Sequence, residues 1–437
     1  MPVSDRLVAV NLVADLRAAV RDVVTDPAVV AGYTTDWTRR FTGVAVAVAR
    51  PRTADEVGAV LAACAEHAAA VIPQGGNTGL VGASVPGADG GRQQVVLSLL
   101  GLTGIGEVDT RASSVVAGAG VTLSALQRHA VAAGVRYGVD LGARDSATVG
   151  GTLATNAGGL RVLAYGDTRA QVSGVQAVLA DGSVIDSTAG PLVDSSGYDL
   201  AGLMVGSEGT LGIITAARLR LVPPPPNSTL VLAGVTGIDT ALDLLDQPDL
   251  LAAEYLDDAT LRIAQQATGL PDPLSSRWPG YVLLDVVGTP RVPDSVDAVA
   301  GDLRLWQYRE RAPEAIAATG VVHKMDVALP LTALAGFVES LPQVVSPPAQ
   351  VFVYGHLGVG NLHINVLGPD ADDESVDAAV LQSVAAAGGS ISAEHGVGRA
   401  KRQYLSMTRS AAEIEAMSRI KAALDPAGLL NPGVLVG

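Results

Sequence analysis

A single cysteine, Cys64, stands in a chain of 437 residues. It excludes an internal disulfide and makes a cysteine-ligated metal or cluster implausible. Its alanine-rich surroundings read as helix, so Cys64 is expected to be a small buried hydrophobe. Aromatic residues amount to 3% against 48% hydrophobic residues overall, so the cores must be built from Ala, Val and Leu. Positive charge is also scarce: 29 Lys and Arg face 44 Asp and Glu, a net charge of −15. That balance argues against nucleic acid and against an anionic membrane surface. An acidic substrate would be repelled at long range and would need local cations. No window approaches a membrane span of uncharged apolar residues. The opening MPVSDRLVAVNLVADLRAAVRDVVTD mixes acids and bases on a helical pattern and lacks the signal-peptide arrangement of a basic start and a purely apolar stretch. The expectation is a soluble protein of a reducing compartment, the cytoplasm. Strict G-x-G-x-x-G and G-x-x-x-x-G-K-[ST] fingerprints are missing, which argues against a Rossmann NAD site and a P-loop.

What the chain has in quantity is glycine, 50 residues of it. Gln74-Gly75-Gly76-Asn77-Thr78-Gly79 follows the short apolar run Val71-Ile72-Pro73. Such a loop can turn backbone N–H groups inward as an anion cradle, although glycine and asparagine also serve ordinary turns. A tract of small residues runs from Asp140 to Gly159 with little periodicity, and Gly206 to Ile214 is a third. Three such loops are hard to explain as turns alone; a large cofactor lying across the domain explains them.

The length suits two domains. Residues 5–25 read as an amphipathic helix and Val44–Val48 as a strand. Thr53 and Glu56 form a capping box for the next helix. Asp181-Gly182 signals a hairpin. Pro223 to Pro226 form the clearest linker. Beyond it the pattern restarts: residues 295–305 read as helix, and strands are expected at 321–328, 351–354 and 362–366.

Two segments of this second part belong together: Gly355-His356-Leu357-Gly358-Val359-Gly360-Asn361-Leu362-His363-Ile364-Asn365 and Ser392-Ala393-Glu394-His395-Gly396. They gather three of the six histidines. Taken singly, a histidine is most often a satisfied structural or surface group. Two imidazoles and a carboxylate, His356, His363 and Glu394, are a common divalent-metal set that leaves positions open for substrate. His395 beside them is a free base, suited to take a proton from a metal-bound hydroxyl.

The order V-I-P-Q-G-G-N-T-G-L-V-G, D-L-G-A, G-G-T-L-A-T-N-A-G-G-L, G-S-E-G-T-L-G-I-I-T, G-H-L-G-V-G-N-L-H-I-N-V, A-E-H-G-V-G and L-D-P-A-G-L-L-N-P resembles the FAD-dependent D-2-hydroxyacid dehydrogenases, vanillyl-alcohol oxidase-type flavoproteins, over about residues 40–435. The resemblance implies an α+β fold: a two-subdomain PCMH-type FAD-binding domain over residues 1–222, a ferredoxin-like α+β substrate or cap domain over 223–387, and a segment 388–437 returning to the FAD domain. It implies non-covalent FAD, because no histidine lies in the loops of the first domain. The pyrophosphate would sit on Pro73, Gln74, Gly75, Gly76, Asn77, Thr78 and Gly79. Further cofactor contacts are implied from Asp140, Leu141, Ser146, Gly150, Gly151, Thr155, Asn156 and Gly158, and from Glu208, Gly209, Ile213, Ile214 and Asn431.

In the family the positions of His356, His363 and Glu394 hold the metal, zinc, with Mn2+ and Co2+ as alternatives. The position of His395 is the base. Asn365, Arg309 and Lys324 match substrate-binding positions; an arginine fork and a lysine point charge both suit carboxylates. The reaction implied is oxidation of a D-2-hydroxyacid such as D-2-hydroxyglutarate, D-lactate or D-malate to the 2-oxoacid, with hydride transfer to flavin N5. An electron-transfer flavoprotein, a quinone or a cytochrome would take the electrons, and a homodimer is left open. Val359 departs from an aspartate of many relatives, and Pro313 from a threonine. The rival readings are an alkyl-glycerone-phosphate-synthase-like flavoenzyme or flavin oxidase, a metal-dependent hydrolase, and a non-catalytic flavin subunit.

Overall fold

The computed structural model describes residues 3–87, 91–191, 193–225, 227–301, 303–371 and 373–436, with side chains from Asn11 onward. Three sheets organise these residues. In the first, strands Ala47–Ala49, Gln94–Ser98 and Ala70–Gln74 run parallel, with Val23–Val24 antiparallel at one edge. Their residues are almost all buried, as parallel strands covered on both faces require. Helix Ala54–Glu66 covers this sheet with Val57, Val60, Leu61 and Cys64, one stripe at helical spacing. Burial pushes the Cys64 thiol up to about 12, which keeps it unreactive. Thr53 caps the helix as expected, but Glu56 reaches one residue further back, accepting from the Arg52 backbone N–H at 2.6 Å.

The second sheet is antiparallel: Ser114–Gly118, Ile213–Val222, Val172–Val178 and Val184–Asp186 in that spatial order, with Arg136–Tyr137 pairing to Ile213–Val222. The tract with little periodicity holds a short helix, Val149–Thr155. It forms despite two glycines because both ends are capped, by Thr148 and by left-handed Asn156, and because Val149 and Leu153 are buried.

The third sheet has seven antiparallel strands: Ala298–Gly301, Ser228–Val235, Gly280–Val287, Leu250–Asp257, Gln350–His356, Asn361–Leu367 and Val322–Ala328. Counted in chain order, the first four strands lie 4-1-3-2, the ferredoxin-like order. The same order recurs in the second half, where the fourth strand shrinks to a bridge between Ser390 and Ala328. One face of this sheet is apolar. Met325, Val327, Ile364, Leu362, Val353 and Ala253 pack there against helices Leu334–Val344 and Ser375–Ala386.

Several expectations change. The first helix, Val3–Ala19, is shorter than expected, and residues 23–24 are strand. The first parallel strand is Ala47–Ala49, with Val44 exposed. Residues 295–305 are not one helix: Ala298–Gly301 pairs with Ser228–Val235, and a 3-10 turn follows at Leu303–Leu305. An open sheet edge there satisfies backbone groups that local helix preference would have paired internally. Strand Leu250–Asp257 and the helices Asp258–Thr268 and Leu334–Val344 were not anticipated. Of the proline run, Pro226 lies outside the described residues; Pro223 ends strand Ile213–Val222.

Candidate active site

The second face of the seven-stranded sheet carries the chemistry. Strand register places Asp326 opposite His363, Lys324 opposite Asn365, Tyr354 opposite His363, and Glu254 opposite His356. Directly paired residues share a face, so alternation on four neighbouring strands collects all seven side chains on the side away from the apolar core. The turn Leu357–Val359 closes the hairpin and brings the His356 and His363 rings to 5.6 Å between centroids.

Glu394 and His395 arrive on the segment after Ser390. One oxygen of Asp326, Oδ2, accepts from three successive backbone N–H groups, those of Ala393, Glu394 and His395, at 2.8 to 3.0 Å. Asn361 Nδ2 donates to the other oxygen at 2.9 Å, and Lys401 Nζ donates to the Asp326 carbonyl at 2.9 Å. Burial raises the Asp326 carboxyl, but the charges of His395, Lys401 and His363 and the loop N–H groups outweigh it, holding it well below the carboxylate range. A buried anion in a nest of N–H groups has little reason to take a proton.

Glu394 Oε1 is the meeting point. His356 Nε2 and His363 Nε2 each lie 3.5 Å from it, and His395 Nε2 lies 3.6 Å away. These are long for hydrogen bonds. The His363 and His395 rings stack at 5.2 Å. Burial opposes charge on His356, yet Glu254 and Glu394 lift it to about 10. Burial dominates at His363 and lowers it to about 3. Burial would raise Glu394, but His356, His363 and His395 bring it down to about 2. Among the described residues, the group whose ligand atoms all lie within 4.8 Å of one another is Asp326, His363, Glu394 and His395, without His356. The Asp326 oxygens are already engaged by four N–H donors, whereas His356 Nε2 is directed at Glu394.

Two cations border the face. Arg309 is buried; its Nε donates to Glu254 Oε2 at 2.6 Å and its guanidinium lies 4.6 Å over the Tyr354 ring. Lys324 Nζ sits 4.5 Å over the ring of Trp37, and burial lowers its pKa to about 8. Pro313 opens helix Ala312–Ala317, a position where its missing N–H costs no helix bond. Val359 is exposed on the hairpin turn.

The glycine loops lie on the side of the first two sheets. Gln74 Nε2 donates to the carbonyls of Tyr33 and Ser84; Asn77 donates to the Thr35 carbonyl and accepts from Ser84 Oγ. These side chains fix the loop, and the backbone N–H groups from Gly75 to Gly79, Thr78 included, find no protein acceptor among the described residues. A Cβ on Gly76 would stand 1.8 Å from the Ser146 carbonyl oxygen, so only glycine lets the two loops meet. Beside them begins helix Val149–Thr155, with Gly150 against Ala119 and the Gly151 N–H on Thr148 Oγ1.

Other sequence candidates are tied to the scaffold. Thr155 Oγ1 donates to the Gly151 carbonyl; Asn156 bonds Asp167 and the Arg169 N–H. Asp140 pairs with Arg144, its carboxyl raised chiefly by burial, and Leu141 packs on the second core. Gly209 lies on Pro73, and Ile213 and Ile214 are buried in their strand. Glu208 accepts from the Val397 and Gly398 N–H groups at 2.8 Å; burial holds its carboxyl up at about 7 despite those bonds. Asn431 Nδ2 donates to the Ala83 and Glu208 carbonyls, while its buried Oδ1 has no partner among the described residues. Gly158 touches Glu394: a Cβ there would lie 2.2 Å from Glu394 Oε2.

Residues 45–188 match the FAD binding domain family, and residues 225–435 match the FAD linked oxidases, C-terminal domain. The chain is 36% identical to the mitochondrial D-2-hydroxyglutarate dehydrogenase of Bos taurus, over 94% of this chain and 80% of that one. It is 37% identical to the D-2-hydroxyglutarate dehydrogenase of Xanthomonas citri pv. viticola, over 94% and 93%. The chain belongs to the FAD-dependent D-2-hydroxyacid dehydrogenase family. Among solved structures, p-cresol methylhydroxylase superposes with a TM-score of 0.78 at 16% identity, over 99% of this chain and 97% of that one. Alkyldihydroxyacetonephosphate synthase gives 0.75 at 17%, over 96% and 84%. At such identities these two show the fold alone.

This dehydrogenase is an oxidoreductase acting on a CH–OH donor, and its first part is an FAD-binding domain. Its loops fit the cofactor by an observation of their own. Five consecutive N–H groups without protein acceptors among the described residues, beside the start of a short helix, suit the pyrophosphate anion. The residues around Glu394 fit a divalent metal, since imidazole nitrogens and a carboxylate oxygen converge without bonding one another well. Among the described residues no helix is long and apolar enough to cross a membrane. Sequence reasoning missed Glu254 and Asp326. Each is a buried acid inside a strand, Glu254 three residues before Asp257 and Asp326 two residues after Lys324; a charge buried there needs a partner, and that was the available signal.

Proposed function

We propose that the enzyme oxidises a D-2-hydroxyacid, D-2-hydroxyglutarate or a close analogue, to the 2-oxoacid, with His356, His363 and Glu394 holding a divalent metal. The observation that carries this reading is the convergence of three imidazole Nε2 atoms on Glu394 Oε1. Bound FAD supplies the hydride acceptor, and the bound metal supplies the Lewis acid that acidifies the hydroxyl. All remaining tasks fall to side chains of this chain. His395 is the one of the three imidazoles left as a base. Its Nε2 faces Glu394 and takes the hydroxyl proton; its Nδ1 faces Asp326, whose negative charge stabilises the imidazolium that forms. Asn365 and Lys324, paired across two strands, and Arg309 offer donors to the substrate oxygens.

The test is anaerobic addition of D- and L-2-hydroxyacids to the purified yellow protein. Bleaching of the visible flavin band by D-isomers alone supports the reading; no bleaching by any D-isomer rejects it. A panel of D-2-hydroxyglutarate, D-malate and D-lactate then ranks substrates. Chelation should abolish turnover and leave the colour.

A further inference from the structure

Glu254 is fully buried on strand Leu250–Asp257, with both carboxylate oxygens engaged. Oε1 lies 2.6 Å from His356 Nδ1, and Oε2 accepts from Arg309 Nε at 2.6 Å. A buried carboxylate is retained only when paired and hydrogen-bonded, and these two partners provide that. Neither partner comes from a neighbouring position in the chain: His356 sits opposite Glu254 in the sheet, and Arg309 arrives on helix Trp306–Glu310.

From this geometry we infer that Glu254 is a positioning residue for the metal, one that dictates the tautomer of His356 and ties Arg309 to it. A carboxylate is acceptor-only, so the His356 proton must reside on Nδ1. Nε2 is then the nitrogen left to a metal, which would displace the proton that Glu394 otherwise favours there, and Nε2 is the atom directed at Glu394 Oε1. A carboxylate behind a ligating imidazole fixes its orientation and raises its basicity. Arg309 balances the charge of Glu254 through its Nε edge. Arg309 is thereby shared between the substrate side of the face and the back of the metal site. The inference rests on the proposed metal role of His356.

Glu254→Gln separates the possibilities because its volume is unchanged. A glutamine offers one acceptor and one donor to two N–H groups. If its oxygen faces Arg309, its NH2 faces His356 Nδ1, and the ring must move its proton to Nε2 and lose the metal-binding lone pair. If its oxygen faces His356, NH2 opposes Arg309 Nε–H. The experiment titrates FAD-loaded wild type and Glu254→Gln with Zn2+ alone, in competition with a chromophoric chelator, and checks flavin content and melting temperature in parallel. The expected result is Zn2+ affinity weakened about 10- to 100-fold, unchanged flavin content, and turnover that recovers as Zn2+ is raised. Arg309→Lys, which keeps charge but loses the planar Nε–H, should weaken Zn2+ in the same direction. Equal affinity in wild type and folded Glu254→Gln overturns the inference while leaving the proposed reaction intact. Absence of any Zn2+ binding by the wild type overturns both the metal reading and this inference. If Glu254→Gln fails to retain FAD, the Arg309→Lys titration decides, and unchanged Zn2+ affinity there overturns the coupling.

Discussion

Asp326 holds His395 through both main chain and side chain: its Oδ2 lies 2.9 Å from the His395 backbone nitrogen and 3.9 Å from the ring Nδ1. One carboxylate thus fixes the position of the proposed base and faces the side on which charge develops. The same oxygen anchors Glu394, so base and metal ligand share a single support.

Asp326→Ala removes the acceptor of three N–H groups and leaves them unpaired in a partly buried loop, at about 1–3 kcal/mol for each group left unsatisfied. Turnover is expected to fall by at least about tenfold, as misplaced catalytic groups do, with flavin absorbance retained. Stopped-flow flavin reduction measures it; an unchanged reduction rate would show that the loop keeps its shape unaided.

His395→Ala should leave a yellow, folded protein with turnover lower by about two orders of magnitude or more, the usual worth of a general base. Substrate affinity, read from the concentration dependence of flavin reduction, should change far less. A variant with near-normal turnover places the base elsewhere.

Gly158→Ala is a remote way to disturb the metal site. The added Cβ would fall 2.2 Å from Glu394 Oε2, so the carboxylate has to move, although the fold around it does not. Zn2+ affinity and turnover should drop by about tenfold or more, while melting temperature and flavin content stay near those of the parent. Loss of the flavin instead would mean that Gly158 serves the cofactor directly.

Alkaline behaviour follows from Lys324. Burial lowers its pKa to about 8, so its charge fades as pH rises through that value and a substrate carboxylate loses its partner. The kcat/KM of the enzyme should therefore fall above about pH 8. In Lys324→Arg, which stays charged, this alkaline limb should disappear. A limb that persists in Lys324→Arg would belong to another group.

Glu208 predicts a stability effect of opposite origin. Its folded carboxyl is raised to about 7 from an ordinary 4.5, so the folded state binds the proton more tightly than the unfolded chain. Its contribution is complete below about pH 4.5 and is lost as pH rises through about 7, by an amount on the order of 3 kcal/mol. Urea midpoints at pH 5 and pH 8 measure the slope, which Glu208→Gln should flatten. An equal slope in the variant would show that the carboxylate is compensated in the folded state.

Much of this molecule was legible in its residues. Thr53 caps the helix expected after it, and Asp181-Gly182 turns a hairpin, because these depend on neighbours a few residues away. The same holds for the glycine loops. A chain that spends Gly75, Gly76 and Gly79 on one turn is avoiding side chains there, whatever lies opposite. The histidine hairpin was legible because residues 363 and 365 share a face by period two alone.

What was hidden depends on partners far along the chain. Ala298–Gly301, within the run expected to be helix, became an edge strand because strand Ser228–Val235 offered unpaired groups. Gln74, Asn77, Thr155 and Asn156, read as cofactor contacts, spend their side chains on Tyr33, Ser84, Thr35, Gly151, Asp167 and Arg169. Glu254 and Asp326 have no visible partner in the sequence until the sheet sets one behind His356 and the other beneath His395. The sequence by itself determined which residue types could bind an anion, a metal and a proton, since those capacities are chemical and local. Tertiary structure alone decided which carboxylate stands behind which imidazole, because strand register, set by burial of the opposite face, brings together residues more than a hundred positions apart.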